Sequence, residues 1–446
     1  MPRHFPNMPF KPAAWPFFYG WFVLLASGFG TVCSIPGQTM GVSAFTEPLI
    51  ESLGIDRTLI TLAYMIGTAG SAFLLTWGGR LYDRYGARAT GCGAALLLGG
   101  VLFYLSCSDR LSNALALLFG GTAGLWTSFA VLTPGFLLLR FSGQGMLTMV
   151  SRNMLMKWFD HRRGLANGVM AIIVPVSFSM APLLLHKLIQ GLGWRGAWSM
   201  LALFSATALV LFILVFYRDN PEACGLEPDG GIEHKPGDPR HDPAQDWTLA
   251  EARRTRPFWV YNLAIALNAL YITALTFHVV SIFEGAGIGE TRAFATFIPS
   301  SILTVVTGFV TGWISDHIKL GYLLAVLLVG MAVSMSGVLL LGTGVGYGMI
   351  IIGNGIAGGT FGLLMAVTWP RYFGRTHLGA ISGFQMSWAV GFSAVGPFLF
   401  GLSHHFFHDY KASVLGCLAL LAVLAWQGFV MTPPPKTPPR RPHQHK

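Results

Sequence analysis

The sequence has very little charge for its length of 446 residues: Asp, Glu, Lys and Arg make up 11% of it, and hydrophobic residues make up 53%. A soluble domain carries about 25% charged residues. A water-soluble chain could not cover its surface with less than half that share, which excludes the soluble, disordered and fibrous classes. The apolar residues fall in runs of about 18 or more, the length that crosses a bilayer, and the mean hydropathy is +0.57. The composition therefore indicates a polytopic helical membrane protein.

Residue patterns that bind metals or cofactors are also scarce. The five cysteines are scattered and show none of the spacing typical of metal sites. One histidine pair, His404 and His408, has the spacing of one helical turn and keeps a metal-binding alternative open. The net charge of +10 would suggest nucleic acid in a soluble protein, but basic loops of a membrane protein account for it. We expect no enzyme activity, no cofactor, no metal and no nucleic-acid partner.

Twelve apolar segments have the length of membrane spans, six on each side of a polar stretch. The first six predicted spans are 17–39, 58–78, 90–107, 136–159, 165–186 and 196–217. The last six are 258–283, 293–314, 320–342, 346–369, 379–401 and 411–431. The predicted domains are a tail over 1–16, a six-helix bundle over 17–217, a linker over 218–257, a second bundle over 258–431 and a tail over 432–446. No cleaved signal peptide is expected, because the first apolar run is too long.

Lysine and arginine indicate the orientation. With both termini in the cytoplasm, 21 of these residues lie on the cytoplasmic side and 6 on the opposite side, and two lie within a span. The positive-inside rule therefore predicts cytoplasmic termini. The end of the linker, 247–256, is predicted as a short interfacial helix whose arginines meet lipid phosphates.

The two halves repeat each other. A Gly-x-x-x-Asp string ends corresponding spans at Gly79–Asp83 and Gly312–Asp316, and a second shared landmark opens the later spans at Gly164 and Gly379. Matched landmarks in matched order predict a six-helix duplication. The separation between the two landmarks is 85 residues in the first half and 67 in the second. We interpret the excess, around 107–134, as an extended third helix or an insertion packed on the bundle.

The loop between the second and third spans reads Gly79-x-x-x-Asp83-Arg84-x-Gly86-x-Arg88. Together with twelve spans, this string resembles the best-known motif of the major facilitator superfamily, and the resemblance covers essentially the whole chain. Finer features resemble its bacterial monocarboxylate-porter and oxalate/formate-antiporter branch: Tyr19–Trp21, Trp158-Phe159, Arg162–Ala166, Gly193–Arg195 and Arg218–Leu226. Membership implies a monomeric secondary transporter working by alternating access, with substrate bound between the bundles.

The sequence departs from that branch at the substrate site. Studied members hold the substrate carboxylate with a Lys in the first or eleventh helix and an Arg in the eighth. Here the first helix has no Lys, the eleventh has Gln385 and Trp388, and Arg292 lies at the outer end of the eighth. The resemblance therefore does not supply the carboxylate site.

The motif residues predict a conformational latch at the cytoplasmic helix ends. Glycines allow close approach of a helix end, and a carboxylate can cap a neighbouring helix N-terminus. The alternative is an ordinary tight loop with inside-positive charge. The predicted latch residues are Gly79, Asp83, Arg84, Gly86, Arg88 and Asp316.

Arg140 is the leading candidate for substrate binding. It lies inside the fourth predicted span, and with Gln144 it resembles the Arg-x-x-Gln-Gly pattern of the superfamily, shifted by one position. An arginine inside a span usually faces a cavity, although one near the outer end can snorkel to water. No Asp or Glu falls in the middle of a predicted span, so such a cavity would favour anions.

Other polar residues on the spans complete the predicted substrate site: His278, Asn268, Tyr271, Gln385 and Trp388. His278 is also the best candidate proton carrier. We expect a transporter of a small organic anion, a mono- or dicarboxylate, in the inner membrane, with protons and lipids as further partners. An exporter of amphipathic compounds and a transporter-fold sensor remain alternatives, and symport and antiport are not distinguished.

Overall fold

The structure, a computed structural model, describes residues 7–118, 124–231, 246–432 and 434. Within these ranges the regular secondary structure is entirely helical, with no strand. The middle of the predicted linker and most of the predicted C-terminal tail lie outside the described residues. The first-half helices are α1 (Gly20–Val32), α2 (Thr39–Leu53), α3 (Arg57–Ser106), α4 (Ser108–Leu118), α5 (Gly124–Trp158) and α6 (Arg163–Phe216).

The second half begins with α7, a short helix over Leu249–Ala252 that lies in the predicted interfacial segment. The remaining helices are α8 (Arg256–Gly285), α9 (Glu290–Ala295), α10 (Phe297–Ser315), α11 (Leu320–Leu339), α12 (Val345–Phe373), α13 (Leu378–Phe407) and α14 (Lys411–Val430). A capping box starts α7, because the Thr248 side chain accepts from the Glu251 amide and the Glu251 carboxylate accepts from the Thr248 amide.

Nine helices in the described ranges are long and apolar enough to cross a membrane. Two of them, α3 and α6, are each divided by a glycine with positive φ, Gly86 and Gly193, so each contains two of the predicted spans. The interrupted first span completes the expected twelve. The predicted all-helical fold is therefore confirmed.

The chain forms two compact units. One contains residues 1–158 and 173–231, and the other contains 159–172 and 232–446. The start of α6 thus groups with the second unit, whereas the sequence predicted a boundary only at the linker.

Two boundaries differ from the prediction. The first span, predicted over 17–39, ends as an α-helix at Val32, and the unpredicted helix α2 follows it. The fourth span, predicted from residue 136, begins at Gly124. Of the two interpretations of 107–134, the extended third helix is wrong, because α3 ends at Ser106. A separate helix, α4, follows and packs on α5, which agrees with the alternative of an insertion packed on the bundle.

Candidate anion site

A break in the first span exposes main-chain groups inside the first unit. After α1, the residues Ile35–Gly37 form a single 3-10 turn, and Pro36 lacks the amide that a continuous helix would need. The Ser34 hydroxyl donates to the Thr31 carbonyl at 2.6 Å and accepts from Gln38 Nε2 at 2.9 Å. The interruption frees the carbonyl of Gly37 from the α-helical ladder.

The helix opposite this break is also irregular. The segment Arg140–Leu147 of α5 is a π-helix, a distortion often found at functional sites. A β-carbon on Gly37 would lie 2.8 Å from Gly143 Cα and 2.9 Å from the Gln144 nitrogen. The two main chains therefore touch, and only glycine permits this approach.

Arg140 lies where the two irregular segments meet, and its side chain is buried. Its Nη1 donates to the Gly37 carbonyl at 3.2 Å and to Thr39 Oγ1 at 3.4 Å. The guanidinium carbon lies 5.3 Å from the centre of the Tyr64 ring, whose hydroxyl donates to Thr39 Oγ1. Within the described ranges Arg140 makes no ion pair, and its Nε has no hydrogen-bond partner. A buried cation with an unused edge is suited to a carboxylate, which binds arginine through two parallel hydrogen bonds.

Further polar groups lie beside this arginine. Gln144 is half-buried, and its side-chain amide makes no hydrogen bond with any described residue. Thr148, one turn further along α5, donates to Ser34 Oγ at 3.2 Å and accepts from Gln38 Nε2 at 3.4 Å. These contacts add uncharged donors and acceptors near Arg140 but no acidic group.

The sequence analysis did not identify Thr39 and Tyr64, the two side chains that contact Arg140. Thr39 lies 101 residues before Arg140 in the chain, Tyr64 lies on α3, and neither belongs to a motif. The Pro36-Gly37 pair was the available signal, since it marks a helix interruption.

Most other predicted substrate ligands lie in the second unit, and their hydrogen-bond partners and burial differ from one residue to the next. The buried Tyr271 hydroxyl forms a 2.8 Å hydrogen bond with Ser334 on α11, which donates to Asn354 on α12 at 2.7 Å. This network ties three helices together. Asn268 is also buried, and its exposed fraction is 4%.

Gln385 and Trp388 lie on consecutive turns of α13. The Gln385 Nε2 is buried without a partner in the described part of the chain, and so are both polar side-chain atoms of Asn262 on α8. Buried polar groups are normally hydrogen-bonded, so these atoms are available to a ligand or to water. Trp388 is half-buried, with its ring 5.4 Å from that of Trp259.

His278 lies elsewhere in the second unit, where its imidazole contacts Tyr410. The histidine pair of the metal alternative is not on one continuous helix, because α13 ends at Phe407 and His408 has a φ of 56°. Within the described ranges no group of three or more His, Cys, Asp or Glu residues can hold a metal.

The loop motif adopts the tight geometry that its glycine suggests. Gly86 has a φ of 80°, and a β-carbon there would collide with the Asp219 carboxylate. That carboxylate accepts from the amides of Ala87 and Arg88 at 2.5 and 3.3 Å. The Arg88 guanidinium donates from Nε to the Tyr217 carbonyl at 3.2 Å and from Nη2 to the Met8 carbonyl at 3.0 Å. The motif thus binds the start of the linker and the N-terminal segment.

The other motif residues lie around this turn. Gly79 is buried, Asp83 is half-buried, and the Arg84 guanidinium lies 5.2 Å from the centre of the Tyr85 ring.

In the second unit, Asp316 caps the start of α6. Its carboxylate accepts from the Gly164 amide at 2.8 Å and from the Leu165 amide at 2.9 Å, and Arg371 Nη2 lies 3.5 Å away. Burial raises the pKa of Asp316 above its ordinary value, while the two amide hydrogen bonds act in the opposite direction. A carboxylate on exposed amides of a helix start is the capping geometry expected for the latch.

The helices and their apolar surfaces define an all-helical, multi-pass membrane protein. The chain belongs to the Major Facilitator Superfamily, whose family model matches residues 27–384. It is therefore a transporter of the secondary type.

Two curated relatives are similar in sequence. An uncharacterized 38 kDa protein in the 23S RNA operon of Thermoproteus tenax is 27% identical over 422 residues, 93% of this chain and 98% of the relative. The uncharacterized MFS-type transporter YhjX of Escherichia coli K12 is 22% identical over 307 residues, 68% of this chain and 67% of the relative.

Solved structures share the fold at low identity. A bacterial homologue of the iron transporter ferroportin has a TM-score of 0.67 at 14% identity, covering 92% of this chain and 98% of that one. The human organic anion transporter MFSD10 has a TM-score of 0.58 at 13% identity, with coverage of 92% and 98%. The proton:xylose symporter XylE has a TM-score of 0.57 at 16% identity, with coverage of 92% and 95%.

Proposed function

We propose that the protein transports a small organic anion, a mono- or dicarboxylate, and that Arg140 binds the carboxylate. The observation that carries this proposal is the buried guanidinium, whose Nη1 is held by Gly37 while its Nε has no partner. Because only one end of the planar group is used, a carboxylate can bind along the other edge. Tyr64 supports the cation from its face.

Gln144 is the second proposed ligand, because its amide is half-buried and unpaired beside Arg140. In the second unit, Gln385, Asn268 and Trp388 remain proposed substrate ligands, and Gln385 Nε2 is buried without a partner in the described part of the chain. Tyr271 is proposed to hold neighbouring helices in position, since its hydroxyl is already hydrogen-bonded to Ser334. This assignment agrees with the monocarboxylate and oxalate/formate branch but relies on a different cation.

We further propose an inner-membrane location with both termini in the cytoplasm, on the basis of the 21 cytoplasmic lysines and arginines. The same count underlies the proposed contact between α7 and lipid phosphates. The transporter is proposed to act as a monomer.

Counterflow in proteoliposomes tests the proposal. Vesicles loaded with unlabelled oxalate, formate or lactate should take up the same labelled acid, and Arg140→Gln should reduce the initial rate at least about tenfold, the effect of losing a charge-assisted pair. Arg140→Lys keeps the charge but loses the planar edge, so it should be intermediate. Arg292→Gln, at an exposed position on α9, is the matched control.

Full counterflow by a correctly inserted Arg140→Gln protein would contradict the assignment. Transport of lipophilic cations with no carboxylate counterflow would instead favour the exporter of amphipathic compounds. Ligand binding without any transport would favour the sensor.

A further inference from the structure

A partly open cavity of ≈ 320 Å³, with a mixed polar and apolar lining, lies in the second unit at the junction of α13 and α14. Its polar lining consists of Ser281, His404, His408, Asp409, Tyr410 and Lys411. A water molecule occupies roughly 30 Å³ in the liquid, so the cavity has room for several. Two of its hydroxyl groups, those of Ser281 and Tyr410, lead to a histidine that does not itself line it.

The hydrogen bonds of that histidine define which nitrogen carries the proton. His278 Nε2 lies 2.9 Å from the Pro397 carbonyl, which can only accept, so Nε2 donates. In the neutral ring Nδ1 is then the acceptor, and it lies 3.3 Å from the Tyr410 hydroxyl. The site that gains a proton therefore faces Tyr410.

Tyr410 connects this nitrogen to the cavity. Its hydroxyl donates to Ser281 Oγ at 2.9 Å, and the His404 ring stacks on its own ring with centroids 5.0 Å apart. Both hydroxyls can donate or accept. With an imidazolium the chain runs from Nδ1 to Tyr410 to Ser281, which is the direction of the Tyr410–Ser281 hydrogen bond in this structure. With a neutral imidazole both hydroxyls rotate, and the chain runs from Ser281 to Tyr410 to Nδ1.

We propose that His278 is a proton-binding site that is filled from this cavity through Ser281 and Tyr410. A hydronium ion in the cavity gives a proton to Ser281 Oγ and becomes water. Ser281 passes its original proton to the Tyr410 oxygen, and Tyr410 passes its own to His278 Nδ1. The chain ends with an imidazolium held between a carbonyl and a hydroxyl.

Titratable groups near this relay lie on several neighbouring elements. Among the described residues that line the cavity Asp409 is the one carboxylate, and its Oδ1 accepts from the Lys411 amide at 3.1 Å. The other titratable groups near the path are His404 and His408 at the end of α13, Lys411 on α14, Glu284 on α8 and Tyr347 on α12.

Histidine ¹⁵N NMR of the protein in lipid nanodiscs tests the site without any substrate, with His278→Gln used to assign the signals. In the neutral ring, at high pH, the His278 proton should reside on Nε2, and in the protonated ring both nitrogens should carry one. At the pH where half of the wild-type rings are protonated, Tyr410→Phe should lower the ratio of protonated to neutral rings about tenfold, because the imidazolium loses a charge-assisted hydrogen bond and the neutral ring only a weaker one. Tyr322→Phe, an exposed tyrosine on α11, should match the wild type. A proton on Nδ1 at high pH, or a Tyr410→Phe titration equal to the wild type, would overturn the proposal.

The coupling of this proton to transport rests on the proposed anion transport. In proteoliposomes with oxalate, formate or lactate, we expect Tyr410→Phe to reduce the ratio of gradient-driven uptake to counterflow about tenfold, the factor expected from the lost acceptor. An unchanged ratio would refute the coupling. If the wild type shows no counterflow, the anion proposal fails, and the NMR experiment still decides whether His278 is the proton site.

Discussion

Gly37→Ala tests how closely the broken first span approaches α5. The added β-carbon would lie 2.6 Å from the Leu139 carbonyl oxygen and 2.8 Å from Gly143 Cα, and both are main-chain atoms that cannot rotate away. Gly37 is not in the left-handed region, so the cost is steric alone. Overpacking of this kind costs about 1–3 kcal/mol. Separation of the segments would also weaken the hydrogen bond from Arg140 to the Gly37 carbonyl, which adds about 1.5 kcal/mol.

The expected loss for Gly37→Ala is therefore about 2.5–4.5 kcal/mol in the free energy of unfolding. Reversible unfolding in mixed detergent micelles, with SDS as the denaturant, measures it. Gly100→Ala on α3 is the matched control, because no atom outside its own helix lies within 4 Å of its added β-carbon. A Gly37→Ala protein as stable as Gly100→Ala would refute the close approach on which the Arg140 site depends.

Three further changes test other parts of the structure. The pKa of Asp316 is raised in the folded state, so this residue stabilises the fold below pH 3.8, its ordinary pKa. That stabilisation is lost as the pH rises through the folded-state pKa. Asp316→Asn should remove this decline in a pH series of thermal unfolding. Burial opposes ionisation of Asp246, but hydrogen bonds from the Thr376 hydroxyl and amide outweigh burial and lower the pKa of Asp246. Asp246→Asn should therefore be less stable than the wild type above about pH 4 and differ little from it at lower pH. The partly exposed ion pair of Arg195 and Asp109 should give a coupling energy below about 1 kcal/mol in a double-mutant cycle, and a larger value would mean that solvent screens it less than its exposure indicates.

Sequence patterns predicted the helices where apolar runs decide the structure and missed them where local packing decides it. The long runs gave the spans, and Gly86 lies at the break that the loop motif implied. In contrast, α2 contains Glu47, Pro48 and Glu51, so its composition resembles a loop although it is helical. Its position depends on packing, such as the stacking of Phe45 on Trp198 at 4.6 Å, and composition does not reveal such contacts.

The candidate site was predictable only in part for the same reason. Arg140 was identifiable because a cation inside an apolar run is costly and therefore informative. Its contacts were not, since Thr39 lies 101 residues away in the chain and Tyr64 comes from a third helix. Tyr271 shows the opposite case: its position on a span suggested a ligand, but its hydroxyl is engaged by Ser334, 63 residues away.

A thermal-shift screen of the purified protein tests the central claim most directly. Small carboxylates, amino acids and lipophilic cations would be compared on the wild type and on Arg140→Gln. A ligand at a hundred times its Kd stabilises the folded state by about 2.7 kcal/mol, so binding is visible without a transport assay. The account predicts stabilisation by one class of carboxylates in the wild type and none in Arg140→Gln. Equal stabilisation of both proteins, or stabilisation by lipophilic cations alone, would contradict it.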